Sequence, residues 1–303
     1  MADIDSIQIN FNQDQLLFLN LCLAFLMFGV ALDIHLRDFR EVFRRPKAPL
    51  IGLFSEYLLL PLLTLALIGL FRPSASLALG MVLIAVCPGG SVSNFMVHFA
   101  KGNAALSVML TSITTLAAII VTPLAFTFWS DFVPKTESLQ AVIYVEPSRM
   151  VRTIVGLVLV PVSLGMFFNH RFPALTRRLE RPVRYLSIAI FLGFVVFAVL
   201  GNLENIRNYL YLVFVLVLLH NGLSLLTGYG FARLTGLPEN DARAVSIETG
   251  IQNSGLGLIL VFNFFEGLGG MALILAWWGV WHLISGFALA SWWRRRPAPA
   301  VGY

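Results

Sequence analysis

Apolar residues run along most of the chain in blocks of about 20, separated by short polar stretches. A helix of about 20 apolar residues is long enough to cross the roughly 30 Å hydrocarbon core of a bilayer. The pattern predicts an all-α membrane protein with about nine transmembrane helices, forming a single transmembrane domain over residues 1–303. The nine blocks cover residues 13–33, 48–71, 75–100, 103–129, 150–168, 183–201, 207–232, 240–265 and 268–293.

Composition and charge support this prediction and orient the chain. Hydrophobic residues make up 58% of the sequence and charged residues only 12%, whereas soluble domains average about 25% charged residues. With nine crossings, 16 of the 21 Lys and Arg residues fall in the loops of one side. The positive-inside rule makes that side cytoplasmic, which places the N-terminus outside and a tail at residues 294–303 inside. We expect a multi-pass protein of a bacterial inner (plasma) membrane.

Two blocks carry helix-breaking residues near their middle. The third block contains the stretch "CPGGSVSN", residues 87–94, and the eighth contains three glycines between residues 250 and 257. Proline removes a backbone donor, and glycine costs about 1 kcal/mol relative to alanine inside a helix, so both blocks are predicted to unwind in mid-membrane. Unwound backbone at that depth requires protein or a water-filled cavity to satisfy its polar groups.

The two breaks occupy matching places along the chain. Asn94 and Asn253 are 159 positions apart, and the blocks that precede them begin near residues 48 and 207, again 159 apart. The chain therefore divides into two related half-repeats, about 13–129 with four helices and about 150–293 with five. An odd helix offset gives equivalent elements opposite orientations, and matching interruptions in inverted repeats indicate a binding site near the midplane.

Glu248 is the residue near the second break that most requires a partner. It lies some nine residues into its block, which at 1.5 Å per residue is near the membrane centre. A carboxylate there costs several kcal/mol unless it is protonated, paired or bound to a cation. The neighbouring stretch "GIQNSG" offers amide and carbonyl oxygens, which can replace the hydration shell of Na⁺. Na⁺ or H⁺ is therefore the expected partner.

Hydroxyl and amide groups near the first break can add further oxygen ligands. Ser93 and Asn94 belong to the break, and Ser107 and Thr111 are four residues apart on one face of the following helix. Such hydroxyls also commonly bond back to the preceding helical turn, and the spacing alone leaves that alternative open. Together with Glu248 they form a possible cage of five oxygens.

The segments "CPGGSVSN", "KGNAALSV" and "ETGIQNSG" resemble the signature segments of the bile acid:sodium symporter family, to which the apical sodium-dependent bile acid transporter belongs. The similarity extends from "FGVALD" at residue 28 to "WHLISG" at residue 281. It implies a sodium-coupled symporter of an organic anion, bile-acid-like or a smaller carboxylate. It also implies alternating access, in which a mobile core domain containing two broken crossing helices moves against a panel domain.

The resemblance further implies two sodium sites and a substrate site. The first sodium site falls on Ser93, Asn94, Ser107, Thr111 and Glu248. The second falls on Glu56, Glu248, Gln252 and the backbone oxygens of Thr249 and Ile251. Asn94 and Asn253 would face the substrate, and His282 could either line the same cavity or bond to a neighbouring helix.

Two positions depart from the family's pattern. Glu56, in "EYLLLP", stands where the family commonly has Gln. Two Na⁺ ions and one ionised Glu leave the site with a net charge of +1, which suits the binding of an organic anion. Two Na⁺ ions and two ionised carboxylates leave it with a net charge of zero. A proton on Glu56 is one resolution, and a proton-coupled carrier that uses Glu56 and Glu248 is the alternative reading. Leu283 follows His282 at a position where a bile-acid-binding bacterial relative would carry Asn. A bile acid is therefore less certain as the substrate, and smaller organic anions remain alternatives.

Functions of other classes fit the sequence poorly. An intramembrane enzyme would use Glu248 with His98 or His282, but no HExxH, GxSxG or paired-Asp motif is present. A channel would be expected to show a repeated pore loop or a charged ring. We therefore expect no catalytic residues and no organic cofactor. The expected partners are Na⁺, a small organic anion and the lipid bilayer, with no nucleic acid and no obligate protein partner.

Overall fold

The computed structural model describes residues 4–6, 13–32, 46–134, 147–200 and 210–296, and the elements within these ranges are helical. Most of the predicted cytoplasmic tail and the ends of several predicted blocks lie outside the described residues. We number the helices in chain order as α1 Gln13–Ala31, α2 Lys47–Phe71, α3 Ala75–Ala85, α4 Val92–Phe99, α5 Ala104–Ser130, α6 (the consecutive segments Pro147–Ile154, Val155–Leu159 and Val160–Arg171), α7 Pro173–Leu200, α8 Leu210–Leu234, α9 Glu239–Gly250, α10 Ser254–Phe264 and α11 Gly269–Arg294.

Several of these helices are long and apolar enough to cross a membrane. Among the described residues five stretches of 24 to 27 residues meet that requirement, and they lie in α2, α5, α6, α8 and α11. Helices α1, α3 and α10 are apolar but contribute shorter stretches. The all-helical class predicted from the sequence is confirmed for the described part of the chain.

Both predicted helix breaks are present. The third apolar block separates into α3, which ends at Ala85, and α4, which begins at Val92. The eighth separates into α9, which ends at Gly250, and α10, which begins at Ser254. We call α3 with α4 the first broken helix, and α9 with α10 the second broken helix.

The helix boundaries in the two predicted half-repeats are spaced slightly differently from the 159 positions predicted from the sequence. The starts of α3 and α9 are 164 positions apart, and those of α4 and α10 are 162 apart. Asn253 is the N-cap of α10, where its Oδ1 accepts a hydrogen bond from Leu256 N at 3.0 Å, whereas Asn94 lies inside α4. The two asparagines therefore do not occupy equivalent backbone positions, although each lies at its own break.

The two unwound segments cross and hydrogen-bond to each other. Gly90 N donates to Ile251 O at 2.7 Å, and Asn253 N donates to Pro88 O at 2.8 Å. Between these bonds, Gly89 and Gln252 pair as in an antiparallel bridge. Each break thus supplies hydrogen-bond partners for backbone groups that the other leaves free, which is how irregular backbone persists inside a membrane.

The apolar packing follows the crossing. Residues of α3 and α10 belong to one buried cluster, and residues of α4 and α9 belong to another. Each broken helix therefore contributes one half to each cluster, and the two do so in opposite chain order. Around them, α11 packs along α3, α8 packs along α9, and α1 packs against α6 and α7.

Helix α2 contains a locally widened turn, and an acidic residue lies in that turn. Residues Ser55–Leu59 form a π-helical turn, and Leu60 N donates to Ser55 O in the i→i−5 pattern of that turn. Pro61 follows directly, and because proline has no backbone N–H, it cannot continue the regular hydrogen-bond ladder. Glu56 lies in the turn and is buried.

We predict that Gly80→Ala destabilises the protein, because a methyl group at Gly80 would stand 2.9 Å from Met271 Cα, a backbone atom of α11. Overpacking of this kind costs about 1–3 kcal/mol. The measurement is the thermal unfolding midpoint of the detergent-purified protein. The matched control is Gly222→Ala in α8, where no atom lies within 4 Å of the added group. Equal midpoints for the two variants would contradict the tight α3–α11 contact.

Candidate functional site

Glu248 lies two residues before the end of α9, and no part of it is exposed. Its carboxylate accepts hydrogen bonds from three hydroxyl groups. Ser93 Oγ donates to Oε1 at 2.5 Å, Ser107 Oγ also donates to Oε1, and Thr111 Oγ1 donates to Oε2 at 2.9 Å. Helices α4, α5 and α9 therefore meet at this buried carboxylate, close to the backbone crossing.

Asn94 adds a further oxygen to the same cluster. Its Oδ1 lies 2.8 Å from Ser107 Oγ and 3.1 Å from Thr111 Oγ1, while Ser93 Oγ lies 3.4 Å from Thr111 Oγ1. The five residues predicted for the first sodium site are thus brought together. We call them the oxygen cluster: Ser93, Asn94, Ser107, Thr111 and Glu248.

The oxygen cluster contains more close oxygen pairs than it has protons to fill them. Six oxygen–oxygen contacts of 3.4 Å or less join the five side chains. Each of the three hydroxyl groups can donate only one proton, and an ionised carboxylate and an amide oxygen donate none. Thr111 Oγ1 also lies 3.1 Å from Ser107 O, so the back-bonding alternative competes for the same proton. A bound cation, or an added proton, would relieve this shortage.

A second group of oxygens lies beside the first. Glu56 is 2% exposed, and neither of its carboxylate oxygens has a hydrogen-bond partner among the described residues. Gln252 Oε1 also lacks a partner there, while its Nε2 donates to the backbone oxygens of Glu248 at 3.3 Å and Thr249 at 3.1 Å. Buried acceptors without donors carry a desolvation cost, which a cation can remove.

The π-helical turn of α2 is attached to the end of α9 through side chains. Ser55 Oγ lies 2.8 Å from Thr249 Oγ1, so the residues that adjoin Glu56 and Glu248 are in contact. Glu56 and Glu248 therefore lie next to the two residues that make this contact, and both side chains are buried. Two like charges buried together require protonation or bound cations. The Ile251 carbonyl, also predicted as a ligand, already accepts from Gly90 N but keeps a second lone pair.

The residues predicted for the substrate occupy different surroundings. Asn94 and Asn253 are half-buried at their breaks. His282 lies on α11 and is 5% exposed, and its Nδ1 has no hydrogen-bond partner among the described residues. One turn further along α11, Gly286 lies against Met96 and Ile251, so this face of α11 packs beside the crossing.

Some residues of the site were not identified from the sequence. Thr114 Oγ1 accepts a hydrogen bond from Gly89 N at 3.2 Å, and a side chain at Gly89 would meet Glu248 Oε2 at 2.7 Å. Thr114 follows Thr111 by three residues, so continuing the helical spacing along α5 would have found it. Ser55 directly precedes Glu56, but only the folded chain shows that it contacts Thr249.

The chemistry of the donor set favours a hard monovalent cation. The ligands available are hydroxyl, amide, carboxylate and backbone carbonyl oxygens. In the part of the chain that the structure describes, no group of three or more His, Cys, Asp or Glu side chains is arranged so that it could hold a metal ion. Oxygen ligands of this kind replace the hydration shell of alkali-metal ions.

Comparison with known proteins agrees with this chemistry. A sequence model of the Sodium Bile acid symporter family matches residues 20–209. The "Uncharacterized sodium-dependent transporter YocS" of Bacillus subtilis is 35% identical over 281 residues, covering 92% of this chain and 84% of its own. The "Probable sodium/metabolite cotransporter BASS2, chloroplastic" of rice is 31% identical, covering 92% of this chain and 64% of its own.

A human protein is more distantly similar. The "Ileal sodium/bile acid cotransporter" is 29% identical over 243 residues, which cover 78% of this chain and 67% of the human one. Together with the apolar helices, these matches identify a multi-pass integral membrane protein of a sodium-dependent transporter family. The chain belongs to the sodium bile acid symporter family.

Proposed function

We propose that this protein is a sodium-coupled symporter that carries an organic anion across the membrane by alternating access. The observation that carries the proposal is the proton shortage in the oxygen cluster, where six oxygen contacts share three hydroxyl protons. A Na⁺ ion bound among these oxygens would be coordinated by both members of a close pair, so the pair would no longer need a shared proton. The sodium-dependent relatives named above support Na⁺ as the cation.

The first sodium ion would bind in the oxygen cluster. Its ligands would be the side-chain oxygens of Ser93, Asn94, Ser107, Thr111 and Glu248. Because α4, α5 and α9 each supply ligands, the ion would hold the two broken helices and α5 together. Its binding would therefore depend on the crossing remaining intact.

The second sodium ion would bind between Glu56 and Glu248. Gln252 Oε1 and the backbone oxygens of Thr249 and Ile251 would complete its ligands. Support comes from three acceptor atoms that lack donors in the described structure, namely both carboxylate oxygens of Glu56 and Oε1 of Gln252. Glu248 would contribute to both sites, which would link the occupancy of one to the other.

The architecture proposed around these sites is an inverted repeat of about 13–129 and 150–293, with nine crossings in all. The antiparallel pairing of the breaks supports opposite orientations of the two broken helices. Their contribution to the two apolar clusters in opposite order supports the same arrangement. In this proposal the broken helices belong to a core that moves against a panel. The distribution of basic residues supports an external N-terminus and a cytoplasmic C-terminus in a bacterial inner membrane.

The substrate would bind beside the crossing, where Asn94 and Asn253 remain half-buried. An amide group can donate a hydrogen bond to a carboxylate, and the Oδ1 atoms of both asparagines are already engaged. His282 would line the same cavity from α11. We propose an organic anion that is either bile-acid-like or a smaller carboxylate.

A proton-coupled carrier of the same fold is the second candidate. It is favoured by the buried Glu56 carboxyl group, which has no hydrogen-bond partner among the described residues and adjoins the Ser55–Thr249 contact next to Glu248. A proton on one of two neighbouring carboxyl groups would remove the repulsion between them. In that case Glu56 would exchange protons during the cycle, and uptake would not depend on Na⁺.

We expect radioactive sodium (²²Na⁺) to bind saturably to the purified protein and this binding to be lost in Glu248→Ala, because Glu248 contributes to both proposed sites. Glu56→Gln should keep the first site and change the second. The measurement is a binding isotherm for the wild type and both variants over a pH series. Sodium binding by the wild type that Glu248→Ala leaves unchanged would exclude the proposed ligands. An absence of binding at every pH would make the proton the coupling ion.

Removing one hydroxyl should test the oxygen cluster directly. We predict that Thr111→Val raises the sodium concentration for half-maximal binding about tenfold or more, because one ligand and one buried hydrogen bond worth about 1–3 kcal/mol are lost. The matched control is Thr127→Val on the same helix, since Thr127 Oγ1 donates only to Pro123 O at 2.9 Å. If both variants bind sodium as the wild type does, the Thr111 hydroxyl is not a ligand.

A further inference from the structure

Asn221 links the second break to α8 and α11. It is completely buried in α8. Its Nδ2 donates to the backbone oxygen of Gly250, the last residue of α9, at 2.7 Å. Its Oδ1 accepts a hydrogen bond from Ser285 Oγ of α11 at 2.5 Å. The side chain therefore forms two long-range bonds in the interior of the helical bundle.

These partners fix which way the amide points. A backbone carbonyl can only accept, so the amide nitrogen must face Gly250 and the amide oxygen must face Ser285. Ser285 must then donate its hydroxyl proton to Asn221. The orientation of Asn221 thus depends on α11 as well as on its own helix.

The bond to Gly250 satisfies a carbonyl that has no other partner in the described structure. A helix end leaves its last four carbonyls without intrahelical donors. At the end of α9, the carbonyls of residues 247–249 are bonded by Ile251 N or by the amide of Gln252. The Gly250 carbonyl instead receives its donor from another helix.

We propose that Asn221 is a positioning residue for the second cation site, and this inference rests on the sodium-coupled function proposed above. The peptide bond between Gly250 and Ile251 is planar, so fixing the Gly250 carbonyl fixes the orientation of that peptide unit. The carbonyls on either side, those of Thr249 and Ile251, are the backbone ligands proposed for the second Na⁺. Asn221 thereby sets the geometry of two ligands without touching the ion.

Close packing of α8 against α9 fixes the distance between the Asn221 side chain and the end of α9. A methyl group at Gly250 would lie 2.4 Å from Leu225, and one at Gly228 would lie 2.8 Å from Thr249. Ser246 Oγ also donates to Leu225 O at 2.7 Å. The two helices therefore cannot slide past each other to compensate for a changed Asn221.

The test compares ²²Na⁺ binding isotherms of the full-length protein with those of Asn221→Leu, which has similar volume but no polar group. Mutating a residue that orients a metal ligand, without touching the metal itself, typically lowers metal affinity about 10- to 100-fold. We call Na⁺ binding at the first and second proposed sites the first and second binding steps. We expect Asn221→Leu to weaken the second step about tenfold or more and to leave the first step in place. The matched control is Ser224→Ala on the same helix, because the Ser224 hydroxyl bonds back within its own helix, to His220 O at 2.5 Å, and to no other helix among the described residues.

Ser285→Ala and Ser285→Thr provide an independent route that leaves Asn221 itself unchanged. Removing the hydroxyl should weaken the second step in the same direction, and the threonine hydroxyl should restore it. A purely structural role would lower thermal stability in both Asn221→Leu and Ser285→Ala while leaving the second step unchanged. That result, or an unchanged second step in Ser285→Ala if Asn221→Leu does not fold, overturns the inference. Wild-type protein that binds no sodium would instead refute the proposed function.

Discussion

The constraint on which the rest of this structure depends is that unwound backbone inside a membrane must find hydrogen-bond partners. The two breaks meet this requirement by pairing with each other through Gly90 N to Ile251 O and Asn253 N to Pro88 O. This pairing brings α4 and α9 together, and it therefore brings Ser93 to Glu248. The oxygen cluster is therefore assembled beside the pairing of the two breaks.

The same crossing explains how a carboxylate can be tolerated in the interior of the protein. Glu248 is surrounded by hydroxyl donors from α4 and α5, but these donors are too few for the acceptors present. Beside it, Glu56 is held by a π-helical turn with no donor among the described residues. A bound cation or an added proton would complete a site that is rich in oxygen and short of protons. In the proposed function, ion binding would depend on the packing of the broken helices, and the bonds of Asn221 connect that packing to α8 and α11.

Much of this arrangement could be predicted from the sequence because it depends on local signals. Pro88 and the neighbouring glycines predicted the first break, and the four-residue spacing of Ser107 and Thr111 predicted a shared face. Two asparagines and the starts of the blocks that precede them predicted a spacing of 159 residues between the half-repeats, whereas the starts of the described helices around the breaks are 162 to 165 residues apart. Helix ends are set by capping and pairing, which a residue match does not reveal. Asn221, Ser55 and Ser285 were missed because their roles arise from contacts between distant helices.

The pairing of the two breaks also limits how the protein can evolve. Residues 88–90 and 251–253 are separated by 160 of the 303 residues but form one short antiparallel contact. A substitution that shifts one segment removes partners from the other, so the two segments should change together among related sequences. Each segment supplies one donor and one acceptor to the crossing, Gly90 N with Pro88 O in one and Asn253 N with Ile251 O in the other, so neither segment keeps its partners without the other.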